Sequence, residues 1–338
     1  MAGRLPTLEE VARVAGVSRA TVSRAVNGGA RVSPQAREAV DRAIAELGYT
    51  PNRAARSLVT RRTDSVALVV PETGDKFVAD PFLTGALQGV TAGLAGTEFQ
   101  LVLLVAQQAG DTERLLRYLG AGHVDGAVVM SHHREDHLPT ELARVGLHRV
   151  FLGRPLDGGE VTAPYYVDSD NVGGGRAAAE HLIARGARRI GTIAGALDMP
   201  AGVDRFDGWR SALDDKGLPT DAVAQGDWTA DGGATAMAAL LAAHPDLDAV
   251  FVASDLMASG ALRVLRESGR DVPDDIAVVG FDDSIFAATT TPPLTTVRQD
   301  AEGLGRRAAE LLIALLRGEP VQPGGEILAT ELIVRDSA

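Results

Sequence analysis

Two arginines, Arg19 and Arg24, and three small hydroxyl residues, Ser18, Thr21 and Ser23, fall within the short segment "SRATVSR". A guanidinium presents a planar fork of donors that fits a guanine edge or a phosphate, and small hydroxyls bind phosphate oxygens. Gathered on one helix, these groups imply contact with a nucleic acid. A generic three-helix bundle is the bland alternative, and the exposed arginines weigh against it.

The elements that would hold these groups can be read on either side. Thr7 caps a helix over "LEEVARVA", and Glu10 completes a capping box. Leu8, Val11, Ala12 and Ala15 give that helix one apolar face, and Gly16 ends it. Ser18 caps a second helix, "RATVSRAVN", in which Val22 and Val26 face inward while Arg19, Ala20, Ser23 and Arg24 face outward. Ser33-Pro34 opens a third, with Ala36, Val40, Ile44 and Leu47 as its buried face. Two short helices at a sharp turn, braced by a third, form a helix-turn-helix, whose second helix enters the major groove by its N-terminal end. After it, "YTPNRAARSLVTRRT" holds a segment too short to be helical alone. It would fold against DNA and a second copy of the chain, with Leu58 as an apolar wedge between base steps in the minor groove. A plain linker is the alternative reading.

Charge agrees. Residues 1–63 hold 11 arginines against 5 acidic residues, and the remaining chain holds 22 basic against 40 acidic residues, so a basic head joins an acidic body. This split confines a polyanionic partner to one end. The whole chain of 338 residues carries a net charge of −12, too long for one average domain. It has no cysteine, which excludes disulfides, thiolate metal sites and a cysteine nucleophile, and fits a reducing compartment. No secretory signal and no apolar run of membrane-spanning length is seen, so a cytoplasmic protein without membrane contact is expected.

From about residue 65 the pattern changes. Apolar runs at 65–71, 99–106, 125–130, 148–153, 188–195, 248–254 and 276–283 alternate with amphipathic stretches at 82–95, 112–121, 173–185 and 256–268. Continuous apolar strands separated by helices read as parallel α/β with both sheet faces covered, here in two successive units that divide near residue 164. "LTTVRQDAEGLGRRAAELLIALLRG" adds a strand and a helix, and "ILATELIVRDS" a final strand. Ligands of such sheets bind beyond the carboxyl ends of the strands, which here carry Glu72, Ser131, Asp255 and Asp282.

"TLEEVARVAGVSRATVSRAVNG" followed by "ELGYTPNRAARSL" resembles the headpiece and hinge of the LacI family of bacterial repressors, and the resemblance runs nearly the whole chain. It implies an all-α helix-turn-helix head joined to a periplasmic-binding-protein-like core of two doubly wound parallel-sheet subdomains, with three crossings between them. The expected domains are a head and hinge over 1–62, the hinge helix at about 51–60, and an effector and dimerisation domain over 63–338. Within the latter, an N-subdomain takes about 63–163 and 292–323, and a C-subdomain about 164–291 and 324–338. The resemblance implies Arg19 and Ala20 as the main base readers, with Thr7, Ser18, Thr21, Ser23, Arg24 and Asn27 beside them and Asn52, Arg53, Ala55 and Leu58 in the hinge. Ala20 stands where some members carry a larger polar residue, so their operators do not transfer.

The resemblance also implies a sugar effector. Arg205 in "DRFDGW" matches the family's sugar-binding arginine, Asp255 and Asp282 match its ligand-contacting positions, and Trp228 matches an aromatic that lines the pocket. Phe77, Phe82, Ser131, Asp168 and Gln299 complete the expected set, while Trp209 is expected in packing. Carboxylates, a guanidinium fork and a flat aromatic suit a neutral polyol. "VVPE", "FVADPFLTGALQGV", "VDSDNVGGGR" and "FVASDLMASGAL" resemble actinobacterial regulators of cellulose-derived and other β-glucoside sugars, and "ETGDKFVAD" reads as a long loop with room for more than one ring. The implied protein is no enzyme but a homodimeric repressor of carbohydrate genes on a palindromic operator, released by a cello-oligosaccharide or other glycoside. A dimer rather than a tetramer is expected, because no heptad helix follows the core. The alternative is a sugar-binding protein, or a corepressor-type regulator with a non-sugar ligand.

No cofactor and no metal are expected. "YYVDSDNVGGGRAAAEHL" places glycines between a strand and a helix but lacks the G-x-G-x-x-G spacing, so its glycines are assigned to close helix–sheet packing. His132, His133 and His137 in "HHREDH" read as a solvated loop, since no other metal-ligand spacing supports them.

Overall fold

A computed structural model describes residues 6–26, 32–49, 62–106, 109–130, 133–134, 138–156 and 164–338. The chain divides into two compact units, residues 1–63 and 64–338.

The first unit contains α1 (Leu8–Ala15), α2 (Arg19–Val26) and α3 (Pro34–Leu47). Thr7 and Glu10 form the expected capping box, and Gly16 closes α1 in the left-handed conformation at φ 65°. Val11, Ala12, Val22, Val40, Ala43 and Tyr49 make the small core between the three helices.

The second unit is built on two six-stranded sheets. The first contains β1 (Ser65–Val70), β2 (Gln100–Val105), β3 (Gly126–Val129), β4 (His148–Leu152), β5 (Tyr165–Ser169) and β11 (Gly324–Leu328), in the order β11-β5-β4-β3-β1-β2. The second contains β6 (Ile190–Ala194), β7 (Val223–Gln225), β8 (Ala249–Val252), β9 (Ala277–Asp282), β10 (Thr295–Arg298) and β12 (Glu331–Ile333), in the order β12-β10-β9-β8-β6-β7. All pairings are parallel except the antiparallel β10–β12. The apolar runs explain this. In β1, Val66, Leu68 and Val70 enter the core on one face while Ala67 and Val69 enter the core on the other. The second sheet repeats the pattern, with Val250 and Val252 on one face and Ala249 and Phe251 on the other. A strand buried on both faces must be apolar at every position.

The helices of the first lobe are α4 (Gly74–Ala79), α5 (Pro81–Leu94), α6 (Ala109–Gly120), α7 (Leu138–Val145) and α12 (Ala301–Arg317). Those of the second are α8 (Asn171–Ala184), α9 (Pro200–Asp214), α10 (Ala230–Ala243) and α11 (Asp255–Glu267). Glycines let these helices approach closely: a Cβ on Gly175 of α8 would lie 2.3 Å from the backbone oxygen of Arg205 on α9. The glycines of "VGGGR" therefore serve helix–helix as well as helix–sheet packing.

The chain crosses between lobes three times, after β5, after β10 and after β11. These points correct the expected boundaries. The 164 division fails because β5 pairs with β4 and β11 in the first sheet. Position 292 fails because β10 pairs with β9 in the second. The segment 324–338 is not all in the second lobe, since "ILATELIV" contributes to two strands in different sheets, β11 and β12. The expected loop "ETGDKFVAD" contains α4, capped by the Thr73 side chain. Among the described residues no helix is long and apolar enough to cross a membrane.

Candidate functional site

The head presents α2. Its N-terminal side chains are exposed at Ser18, Arg19 and Ala20, Arg24 is exposed one turn on, and Thr21 and Ser23 are half-buried. Ser18 caps the helix, accepting from the Thr21 backbone at 3.1 Å, and its hydroxyl meets the Thr21 hydroxyl at 2.9 Å. Arg19 Nε lies 2.8 Å from Glu9 Oε1 in a pair whose side chains are 72% and 61% exposed. Such a pair is worth little in water and leaves the guanidinium available. Arg24 Nε donates back to the Ala20 carbonyl at 3.1 Å. The Thr7 hydroxyl is engaged in the capping box with Glu10. Asn27, Asn52, Arg53, Ala55 and Leu58 lie outside the described residues.

Between the lobes of the second unit lies a cleft of about 780 Å³, including its open mouth. Glu72, Lys76, Asp80 and Phe82 line it from the end of β1 and the helices that follow. Gly153 and Asp168 follow from β4 and β5, Asn171, Met199, Arg205, Trp228, Ser254 and Asp282 from the second lobe, and Gln299 from the second crossing. The strand ends point where an α/β sheet places its ligand.

Arg205 is the buried centre. Nε donates to Asn171 Oδ1 at 2.9 Å, and Nη1 to the Ala253 carbonyl at 2.7 Å and to Asp282 Oδ1 at 3.4 Å. Its Nη2 donors have no acceptor among the described residues. Its guanidinium carbon lies 3.6 Å from the Phe281 ring centroid and 5.5 Å from that of Trp228. Gln299 Nε2 donates to Asp282 Oδ1 at 2.6 Å and its Oε1 accepts from Ser169 Oγ at 2.8 Å. Asp168 accepts from the Arg154 and Ser169 backbone nitrogens, both at 2.8 Å, and from Asn171 Nδ2 at 3.0 Å.

Burial dominates the electrostatics. It raises the Asp282 carboxyl well above its ordinary range against the pull of Arg205, and the same burial lowers Arg205. Burial likewise raises Asp80 and Asp168. Trp228 at φ 69° and Asp282 at φ 114° hold left-handed backbone, which costs a non-glycine residue about 1–3 kcal/mol and concentrates at ligand sites.

Of the expected contacts, the structure brings Phe82, Asp168, Arg205, Trp228, Asp282 and Gln299 to the cleft. Two do not line it. Phe77 packs into the core of the first lobe, because α4 turns its side chain inward. Asp255 is wholly buried, accepting from Thr296 Oγ1 at 2.6 Å and from the Ser284 backbone at 2.7 Å; burial pushes its carboxyl up to about 7. It braces β10 and the turn after β9. Ser131 lies outside the described residues, and Trp209 is fully buried, as expected of packing. Sequence reasoning missed Lys76, Asp80, Asn171 and Met199; "D-P" before a helix and "D-S-D-N" after a strand are the signals that could have drawn attention to Asp80 and Asn171.

His133 corrects the solvated-loop reading. Its Nδ1 lies 2.8 Å from Asp198 Oδ2 and its Nε2 3.4 Å from Glu72 Oε1, with the side chain 30% exposed. Among the described residues no group of three or more His, Cys, Asp or Glu is arranged to hold a metal.

Residues 7–52 match the bacterial regulatory proteins of the lacI family, and residues 179–338 match a periplasmic binding protein-like domain. The HTH-type transcriptional regulator CelR of Thermobifida fusca is 53% identical over 99% of this chain and 98% of its own. This chain belongs to the LacI family. The regulator is also 32% identical to the ribose operon repressor of Halalkalibacterium halodurans, over 98% of this chain and 97% of that one. A solved CelR–cellobiose complex aligns with the regulator at a TM-score of 0.78 and 50% identity, covering 98% of this chain and all of that one. The lac repressor dimer bound to operator and the anti-inducer ONPF aligns at 0.84 and 30% identity, covering 99% of each. The regulator is thus a DNA-binding transcriptional regulator with a periplasmic-binding-protein-like core.

Proposed function

We propose that the regulator is a cytoplasmic, homodimeric repressor whose paired heads read a palindromic operator and whose cleft takes a neutral glycoside of the cello-oligosaccharide class. One observation carries the ligand class: the carboxyls of Glu72, Asp80, Asp168 and Asp282 line the same cleft as Arg205 and Trp228. Carboxylates accept hydroxyl hydrogens, the guanidinium fork donates to ring oxygens, and the indole covers an apolar sugar face. A sugar acid or sugar phosphate meets four acidic groups against Arg205 and Lys76, so it is disfavoured. The cellobiose held by the 50% identical CelR structure supports the same class.

In this reading Arg19 and Ala20 meet base edges, Arg24 and the hydroxyls of Ser18, Thr21 and Ser23 meet the groove and phosphates, and Leu58 wedges the operator centre. Thr7 and Asn27 in the head, and Asn52, Arg53 and Ala55 in the hinge, stand beside them. The protein acts by binding, not turnover. A glycoside that prefers one lobe arrangement, and DNA that prefers the other, weaken each other reciprocally, by about 1–3 kcal/mol in typical cases.

The test is release of a labelled fragment of the regulator's own promoter region, with cellobiose, cellotriose, ribose, galactose and gluconate as probes. Release by the two cello-oligosaccharides and not by gluconate is expected. Absence of sequence-dependent retention, or release by gluconate alone, overturns the reading.

A further inference from the structure

Arg154 and Asp204 belong to different lobes. Arg154 leaves β4 of the first lobe through Gly153, and Asp204 sits on α9 of the second. The guanidinium grips the carboxylate with two nitrogens, Nε to Oδ2 at 2.7 Å and Nη2 to Oδ1, and the side chains are 31% and 11% exposed. Fork-on-carboxylate pairing fixes direction as well as distance.

Two routes lead from Arg154 to the buried arginine of the cleft, one through this bridge and one through the Arg154 backbone. Asp204 is the residue before Arg205 on the same helix turn. The Arg154 backbone nitrogen also donates to Asp168 Oδ2, whose other oxygen accepts from Asn171 Nδ2, and Asn171 Oδ1 accepts from Arg205 Nε. Arg154 itself does not line the cleft. We propose that Arg154 is a positioning residue: its bridge to Asp204 ties the two lobes and aims Arg205 into the cleft, so that ligand affinity depends on a contact the ligand never touches.

Two measurements decide this. The first rests on the proposed effector and uses cellobiose in calorimetric titrations of the full chain. Arg154→Ala and Asp204→Ala are each expected to weaken binding about tenfold, less than the loss of a fully buried interfacial pair because Arg154 is 31% exposed and the effect is indirect. The double variant is expected to bind no more weakly than the worse single one, while thermal unfolding confirms that all three are folded. Losses that multiply in the double variant, or single variants that bind like the parent, overturn the proposal.

The second measurement needs no ligand. The chain has no cysteine, so Glu113→Cys on α6 and Asp231→Cys on α10, at side chains 80% and 94% exposed, accept spin labels cleanly. With labelled chain diluted into unlabelled chain, Arg154→Ala is expected to broaden the interlobe distance distribution. An unchanged distribution overturns the clasp, whatever cellobiose does. If the parent does not bind cellobiose, the ligand assignment falls and this arm alone decides.

Discussion

The guanidinium carbon of Arg205 stands 3.6 Å from the centroid of the Phe281 ring, so the arginine of the cleft lies on an aromatic floor. The floor is itself made possible by Gly174, where a Cβ would lie 2.7 Å from Phe281 Cε2. A planar cation stacked on a ring and forked toward Asn171, Ala253 and Asp282 is not replaceable by an ammonium. Arg205→Lys is therefore expected to weaken effector binding at least about tenfold, about 1.4 kcal/mol, while operator binding without sugar changes little. Calorimetry with cellobiose and operator gel shifts read the two quantities; equal loss in both means a folding defect, and unchanged cellobiose affinity removes Arg205 from the ligand site.

The interior of the effector domain carries a second measurable constraint. Because a Cβ at position 175 meets the Arg205 backbone at 2.3 Å, α8 and α9 cannot keep their spacing around an alanine. Gly175→Ala gains helix propensity but overpacks the crossing, and a net loss of about 1–3 kcal/mol is expected. Urea unfolding measures it, and a stabilised variant shows that the helices can separate freely.

How much of this was readable in advance depended on what each residue's neighbours demand. The strands of "SVALVV" and "AVFV" were legible because burial on both faces leaves no polar position to confuse the pattern. β5, "YYVDS", reads as a strand ahead of the glycines, but its first two residues are only half-buried and periodicity cannot say which of two sheets a strand joins. The crossing expected near 164 lies after β5 for that reason. α4 resembles a loop in the sequence because Thr73, Gly74 and Asp75 suit a turn and the helix is only six residues long. Its inward turn removed Phe77 from the cleft. Asp255 and Asp282 looked alike, as aspartates at the ends of successive strands. Only tertiary contacts distinguish them, since Thr296 and Ser284 occupy both oxygens of Asp255. In the head the reverse held: caps, glycine and apolar spacing are local, so α1 to α3 followed from short-range chemistry alone.

That head carries the third prediction. Among the described residues Arg19 is tied only to Glu9, in a pair exposed on both sides, so removing it costs the fold almost nothing. Arg19→Ala is expected to weaken operator binding by about 1–3 kcal/mol while leaving unfolding and sugar binding unchanged. Fluorescence anisotropy on specific and scrambled duplexes checks it. If binding to both falls equally, with a shallower salt dependence, Arg19 contacts phosphate rather than base.

The last prediction concerns pH. His133 of the first lobe lies between Glu72 of its own lobe and Asp198 of the second, and Lys76 shares Glu72 at 3.0 Å. The hydrogen bond to Glu72 raises the imidazole above its ordinary value near 6.5, burial opposes the rise, and Asp198 adds to it. A histidine held above its ordinary value stabilises the joined lobes fully below that value, and the contribution disappears as pH climbs through the raised one. Effector affinity is therefore expected to fall as pH rises above about 6.5, and closure to take up protons in that interval. Asp255, near 7, titrates in the same interval, so the informative quantity is the difference between parent and variant. His133→Gln removes the titrating group, and Asp198→Asn removes its partner across the cleft. Both are expected to flatten the pH dependence of cellobiose affinity and to reduce the proton uptake measured in buffers of different ionisation enthalpy. NMR titration of the ligand-free chain adds a direct reading, because Asp198→Asn must lower the His133 midpoint if the contact spans the lobes. A midpoint unmoved by that substitution shows that Glu72 alone sets it, and the pH dependence then belongs to the buried carboxyls of the cleft.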